Sequence, residues 1–221
     1  MTLIPYTAPE KPFRAQLEIQ KSLFIADIAP AADMEAAAAF WQARQKEFRD
    51  AAHHCFACRA GTGLIQEKSS DDGEPQGTAG HPMLHVLQAQ GITCAALVVT
   101  RYFGGIKLGA GGLARAYSSA AALALSGAPL LRYTPHLPVT LTLSYDMLGL
   151  FERYAEGTDL RIGDRAFTDR VALSLLAPPD TWKEHEKQLT NLTAGRLSIE
   201  TGSEVYVPLP VSSRQPLPSM V

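Results

Sequence analysis

Leu97–Tyr117 reads LVVTRYFGGIKLGAGGLARAY. The apolar run at its start has the character of a buried strand, which we place at Thr93–Phe103. A loop follows with five glycines in nine residues: Gly104, Gly105, Gly109, Gly111 and Gly112. The alanine-rich remainder reads as a helix over Leu113–Leu125, ended by Gly127 and Pro129. Glycine permits positive φ and lets another group approach the backbone closely. A helix opening near Leu113 would turn unpaired N–H groups and a partial positive charge toward the loop. Arg101, Lys107 and Arg115 surround the glycines, and no Asp or Glu occurs between Glu74 and Asp146. The local chemistry suits an anion.

Working outward, Phe13–Ala29 reads as strand material, with alternation through Ala15, Leu17 and Ile19. Asp33 is an N-cap candidate for a helix over 34–50, whose Met34, Ala38, Trp41 and Phe48 follow helical spacing. His53–Gly61 reads as a short strand, Glu67–Gly80 as a loop, and Met83–Gln90 as a short helix stopped by Gly91. Pro135 and Pro138 mark a linker. Beyond it come a strand at Val139–Tyr145, a helix at Met147–Glu156, and strands at Asp159–Ala166 and Thr168–Ala177. Thr181 and Glu184 form a capping box opening a helix through Thr193, and Arg196–Val207 is a last strand. The order β-α-β-β-α-β is the ferredoxin-like arrangement. The fold class is therefore α+β with two domains, at 13–134 and 138–207. Residues 1–12 and the proline-rich 208–221 read as extended or frayed termini.

The chain has 221 residues, of which 46% are hydrophobic, enough for a core without disulfides or metal. A net charge of −2 argues against a dedicated duplex-DNA binder. Residues 1–134 carry 12 basic and 11 acidic side chains against 8 and 11 in the remainder, so any nucleic-acid contact is a local patch. Three cysteines without a signal-peptide pattern fit free thiols in the cytoplasm, and no apolar run approaches a membrane span.

Several motifs lose on context. Gly109-Ala110-Gly111-Gly112-Leu113-Ala114 fits a dinucleotide pattern, but the strand ends too early and the acidic residue expected downstream is missing. No Gly-Lys-Ser/Thr follows the glycines, so there is no phosphate-binding P-loop. Asp71-Asp72-Gly73-Glu74-Pro75 lacks calcium-loop spacing and reads as a solvated turn or an acid/base cluster. Cys55 and Cys58 stand alone as a pair and face opposite sides of a strand, which argues against zinc or redox chemistry. His53 and His54 could pair with Cys55, but no orienting Asp or Asn is evident nearby. His81 and His85, one turn apart, read as a surface helix, and His185-Glu186 lacks the second histidine of a zincin. No cofactor and no metal is expected.

The segment Asp71-Asp72-Gly73-Glu74-Pro75-x-Gly77-Thr78-Ala79-Gly80-x-Pro82 resembles the first signature of the IMPACT family, in its bacterial YigZ-like branch. Val98-Val99-Thr100-Arg101-Tyr102-Phe103-Gly104-Gly105-x-Lys107-Leu108-Gly109-x-Gly111-Gly112-Leu113-x-Arg115-Ala116-Tyr117 resembles the second. Lys21-Ser22-x-Phe24-Ile25 and the His53/Cys55 segment match weaker positions, whereas Cys58 replaces a usual aromatic. The resemblance implies an N-terminal α/β domain like those of ribosomal proteins and translocases. It also implies a C-terminal ferredoxin-like domain similar to the last domain of elongation factor G. Eukaryotic members resemble translational regulators that compete for a ribosome-associated kinase activator. What carries over is a cytoplasmic, translation-linked, non-enzymatic protein.

The residues expected to carry ligand or nucleic-acid binding are Asp71, Asp72, Glu74, Thr78, Arg101, Tyr102, Gly104, Gly105, Lys107, Gly109, Gly111, Gly112 and Arg115. The partner expected is RNA, the ribosome or a translation-associated protein, with no membrane. One alternative is an enzyme acting on a phosphorylated or carboxylated small molecule, with Asp72 or Glu74 as acid or base. A protein adaptor using the ferredoxin-like half is the other. The acidic turn and the glycine loop should lie together, with Asp71, Asp72 or Glu74 paired to Arg101, Lys107 or Arg115.

Overall fold

The computed structural model describes residues 2–211. The described residues form two compact units, Tyr6–Tyr133 with 208–211, and Thr134–Val207 with 2–5.

In the first unit, strand β1 (Tyr6–Pro9) precedes a hairpin of β2 (Phe13–Ile19) and β3 (Ser22–Pro30). Helix α1 (Met34–Glu47) leads to a second hairpin, β4 (His53–Ala60) and β5 (Gln66–Ser70). Helix α2 (Gly80–Ala89), strand β6 (Ala95–Tyr102) and helix α3 (Gly109–Gly127) complete the series. The sheet runs β2-β3-β6-β4-β5 and every pairing is antiparallel. Because β6 is covered on both faces, its sequence is continuously apolar rather than alternating. Leu97 and Val99 join Phe24, Cys55 and the α2 and α3 side chains in the larger core. Ala96 and Val98 join Phe56, Cys58 and the apolar side of α1 in the smaller. Cys55 and Cys58 thus lie on opposite faces, as strand geometry requires.

Helix α1 opens where expected: the Asp33 carboxylate accepts from the Ala36 N–H at 2.8 Å, a cap worth about 1 kcal/mol. Its last helical residue is Glu47, three short of the expected end. The buried alanines of α3 (Ala116, Ala120, Ala121 and Ala124) share one face and bring the helix backbone close to the sheet.

Several boundaries differ from those the sequence predicts. The Phe13–Ala29 strand material is a hairpin turning at Gln20 and Lys21, whose φ of 46° and 64° are those of a two-residue turn matched to strand twist. Part of the expected Glu67–Gly80 loop is β5, an edge strand whose polar QEKSS gives no hydrophobic alternation to detect. Helix α2 begins at Gly80 rather than Met83, and α3 at Gly109 rather than Leu113, so each helix takes in glycine at its start. The N-terminal segment is not frayed throughout, since Tyr6–Pro9 pairs with Leu130–Tyr133.

The second unit contains β7 (Leu130–Leu143, entered from the first unit), α4 (Tyr145–Ala155), β8 (Arg161–Phe167), β9 (Val171–Ala177), α5 (Trp182–Leu192), β10 (Ser198–Thr201) and the start of β11 (Val205–Pro210), which passes into the first unit at Pro208. The order β10-β7-β9-β8, antiparallel throughout, is that of a ferredoxin-like βαββαβ sheet. Alternate residues Leu141, Leu143, Val171, Leu173 and Leu175 meet Phe151 of α4 and Trp182 and Leu189 of α5.

Residues 134–138 are strand, not linker: Pro135 falls between the β1 register, which ends at Tyr133, and the β9 register, which begins at Leu137. The last strand is two strands, β10 and β11. Thr181 does not cap α5, because its backbone is already helical and its hydroxyl donates to Asp159 instead. Of the proline-rich tail, Pro208 and Pro210 lie in β11, while Pro216 and Pro218 fall outside the described residues.

Candidate functional site

Residues 97, 99 and 101 of β6 share a face, which directs Arg101 toward α3 rather than toward solvent. Its guanidinium donates from Nη1 to Glu74 Oε1 at 2.6 Å and from Nη2 to Ser22 Oγ at 3.3 Å. The paired side chains are 5% and 4% exposed. Tyr117, wholly buried on α3, donates its hydroxyl to the same Glu74 oxygen at 2.8 Å and meets Phe24 edge-to-face. Phe24 and Phe103 each place a ring 5.4 Å from the Arg101 guanidinium carbon. A buried charge is tolerated only when paired and hydrogen-bonded, and Glu74 supplies that pairing. Of the three acids proposed to pair with the loop cations, Glu74 alone does so.

The other acidic residues hold the turn. Asp71 Oδ2 accepts from the Gly77 N–H at 2.8 Å, and Oδ1 accepts from Ala79 and Gly80 at 2.9 Å each. It thereby caps α2 from outside the helix, whose own N-cap, Ala79, offers no acceptor. Burial raises the Asp71 carboxyl's pKa, but the three N–H donors outweigh it and leave the value below the ordinary range. Asp72, at φ +44°, accepts the His54 N–H on its carboxylate at 2.6 Å and the His53 Nδ1–H on its carbonyl at 2.8 Å. The Thr78 hydroxyl donates to the Pro75 carbonyl at 2.6 Å. Asp71, Asp72 and Thr78 are therefore bound to backbone, and the Asp72 carboxylate also lies 3.6 Å from His54 Nδ1. Cys55 donates its thiol to the Asp71 carbonyl at 3.0 Å rather than to either histidine, and burial pushes its pKa up, away from thiolate chemistry.

Glu74, Arg101, Phe103, Lys107, Gly109 and Leu113 line a cavity of about 330 Å³ beside this network. The N-terminus of α3 forms part of its wall: Leu108 at the N-cap has no side-chain acceptor, and the first turn holds no acid. Lys107 is exposed, and among the described residues it has no ion pair. Gly109 takes φ +68° and Gly105 φ +85°, conformations costly for other residues. Gly104 has a different reason: a Cβ there would lie 2.0 Å from the Lys21 carbonyl, so the loop closes directly on the β2–β3 turn. Its N–H donates to Ser22 Oγ at 3.2 Å.

The remaining candidates lie off the cavity. Tyr102, on the opposite face of β6, donates to Asp50 at 2.9 Å. Arg115 is exposed on α3, near Gly111, and does not line the cavity; Gly112 packs against Leu108. Ser22, Phe103 and Tyr117 belong to the site although the sequence reading did not nominate them. Ser22 and Tyr117 stood in the quoted motifs, and Phe103 carried the signal of an aromatic beside a glycine pair. Among the described residues no group of three His, Cys, Asp or Glu side chains is placed to hold a metal. His81 and His85 meet on the outer side of α2 with ring centroids 4.6 Å apart and planes tilted by 50°, and His185 lies between Tyr154 and Asp159, 2.7 Å from each. No helix among the described residues is long and apolar enough to cross a membrane.

Residues 20–125 match the model of the Impact N-terminal domain, and residues 141–196 match a domain of unknown function (DUF1949). An IMPACT family member of Haemophilus influenzae is 36% identical over 197 residues, covering 88% of this chain and 96% of that protein. The IMPACT family member YigZ of Escherichia coli is 37% identical over 193 residues, 86% of this chain and 95% of that protein. A solved structure, titled as the crystal structure of an hypothetical protein, covers 90% of this chain and 97% of its own, with a TM-score of 0.59 at 36% identity.

Proposed function

The chain belongs to the IMPACT family, and we propose that it is a cytoplasmic, translation-linked binding protein, not an enzyme, that contacts RNA phosphate through its glycine-rich loop. The observation that carries this is the cavity wall formed by Lys107 and the uncapped, acid-free N-terminus of α3. Backbone N–H groups and the helix dipole favour an anion there, and Lys107 adds a charge no neighbour neutralises. Arg101 is less a free cation than the floor of the site, since Glu74 balances it. The second signature then has two tasks: Gly104, Arg101 and Tyr117 fix the loop, while Lys107 and the helix start face a ligand.

The test is cosedimentation with ribosomes and with free RNA across a salt series, comparing the natural protein with Lys107→Ala/Arg115→Ala. Both side chains are exposed, so the variant should fold. Binding should fall by roughly 0.7 log units per log unit of salt for each phosphate on single strands, and the variant should lower that slope. Salt-independent binding, or none, sinks the reading and favours a small anionic metabolite or a protein partner.

A further inference from the structure

The geometry points to a narrower ligand: the cavity beside Arg101 receives a single 5′-phosphorylated ribonucleotide, as a free monophosphate or as the 5′ end of an RNA. This rests on the phosphate reading above and adds what the phosphate is attached to. An internal phosphodiester continues on both sides and needs an open groove. A concave site of about 330 Å³ instead lies at the small end of ligand cavities, the size for one nucleotide.

The groups that line it match the parts of such a ligand. The phosphate has the Gly109–Ala110 start of α3 and Lys107. Arg101 lines the same cavity, and its almost wholly buried side chain keeps an Nε–H with no partner among the described residues. A ribose hydroxyl has Glu74. Both bonds to that carboxylate use Oε1, so Oε2 remains an acceptor, the role an acidic side chain plays toward ribose in dinucleotide sites. A base has Phe103, 52% exposed with its ring held against the Arg101 guanidinium, a stacking platform of the kind single-stranded RNA uses. Glu74 does not repel the phosphate as an isolated carboxylate would, since Arg101 balances its charge.

The experiment uses the full chain and one ten-nucleotide RNA sequence, internally labelled, in three forms: 5′-phosphate, 5′-hydroxyl and circular. Anisotropy titrations are run alongside competition by uridine and adenosine 5′-monophosphates. The expected result is affinity at least about tenfold higher for the 5′-phosphate form than for the other two, from its added charge-assisted hydrogen bonds. Phe103→Ala and Lys107→Ala should each abolish that preference, and Phe103→Trp should retain it. Competition by the monophosphates shows that one nucleotide suffices. Equal, salt-sensitive binding of all three RNAs overturns this inference and leaves the phosphate reading standing. Binding of monophosphates without RNA supports the cavity's ligand and overturns the RNA reading. Binding of neither overturns both.

Discussion

Removing either partner of the Glu74–Arg101 pair should unfold much of the first unit's stability, whereas removing both should not. The pair is nearly inaccessible, at 4% and 5% exposure, with 2.6 Å between its atoms. Glu74→Leu leaves a guanidinium held by Ser22 alone, and Arg101→Met leaves a carboxylate held by Tyr117 alone. Each single change should cost about 3–5 kcal/mol, the penalty of an uncompensated buried charge. Against a usual domain stability of about 5–15 kcal/mol, either is severe. The double variant replaces both charges with apolar groups of similar size and should cost at most about 3 kcal/mol. The sum of the singles would then exceed the double by at least about 3 kcal/mol. Urea titration of the full chain in a Trp182→Phe background reads this at Trp41. That indole donates to the His54 carbonyl at 2.7 Å and stacks on Phe56 within the same unit. Additive costs, or a single variant losing less than about 1 kcal/mol, would refute the account and make the pair a solvated one.

Other outcomes follow from the same geometry. Gly104→Ala should destabilise by about 3 kcal/mol, because its Cβ meets Lys21 backbone rather than a movable side chain. Gly149→Ala, in α4 with open space around it, should stabilise by roughly 0.5–1 kcal/mol; thermal melts distinguish the two. The Asp71 carboxyl is held below its ordinary 3.8, so its contribution is fully present above that pH and is lost as pH falls through the lowered folded value. Urea midpoints between about pH 2 and 5 should show this loss, and Asp71→Asn should remove that part of the pH dependence. Cys55, Cys58 and Cys94 are all buried, with their thiol pKa values raised by burial. A thiol reagent should therefore label the native protein slowly and all three positions rapidly in denaturant; fast native labelling would contradict the packing.

Much of this fold is local enough to read from the chain. The β6–glycine–α3 passage announces itself because a strand buried on both faces is continuously apolar and a helix packed close to a sheet is rich in alanine. Strand β5 does not, since at a sheet edge Gln66–Ser70 owes its conformation to pairing with β4 rather than to its own pattern. The ion pair was foreshadowed by charge: with no acid between Glu74 and Asp146, an anion for Arg101 had to come from elsewhere in the sequence. Which of three neighbouring acids it would be was not legible. Asp71 and Asp72 are occupied by N–H groups of Gly77, Ala79, Gly80 and His54, and only the folded chain brings those groups together. The role of Ser22 was not legible for a similar reason, since it lies 82 residues from the glycine whose N–H it receives.

Neither compact unit is a contiguous piece of chain, and that sets a clock on how the protein is made. Leu3 donates its N–H to the Glu204 carboxylate at 2.8 Å, a separation of 201 residues, and the Tyr206 hydroxyl donates to the Ile4 carbonyl. At about 5–20 residues per second, a ribosome needs roughly 10–40 s to travel from one to the other. Leu3 and Ile4 therefore wait, without these partners, until the residues between them and Glu204 have followed. Helix α3 and the sheet beneath it need only what precedes Leu130, so the glycine loop can be built and seated while the second unit is still being translated.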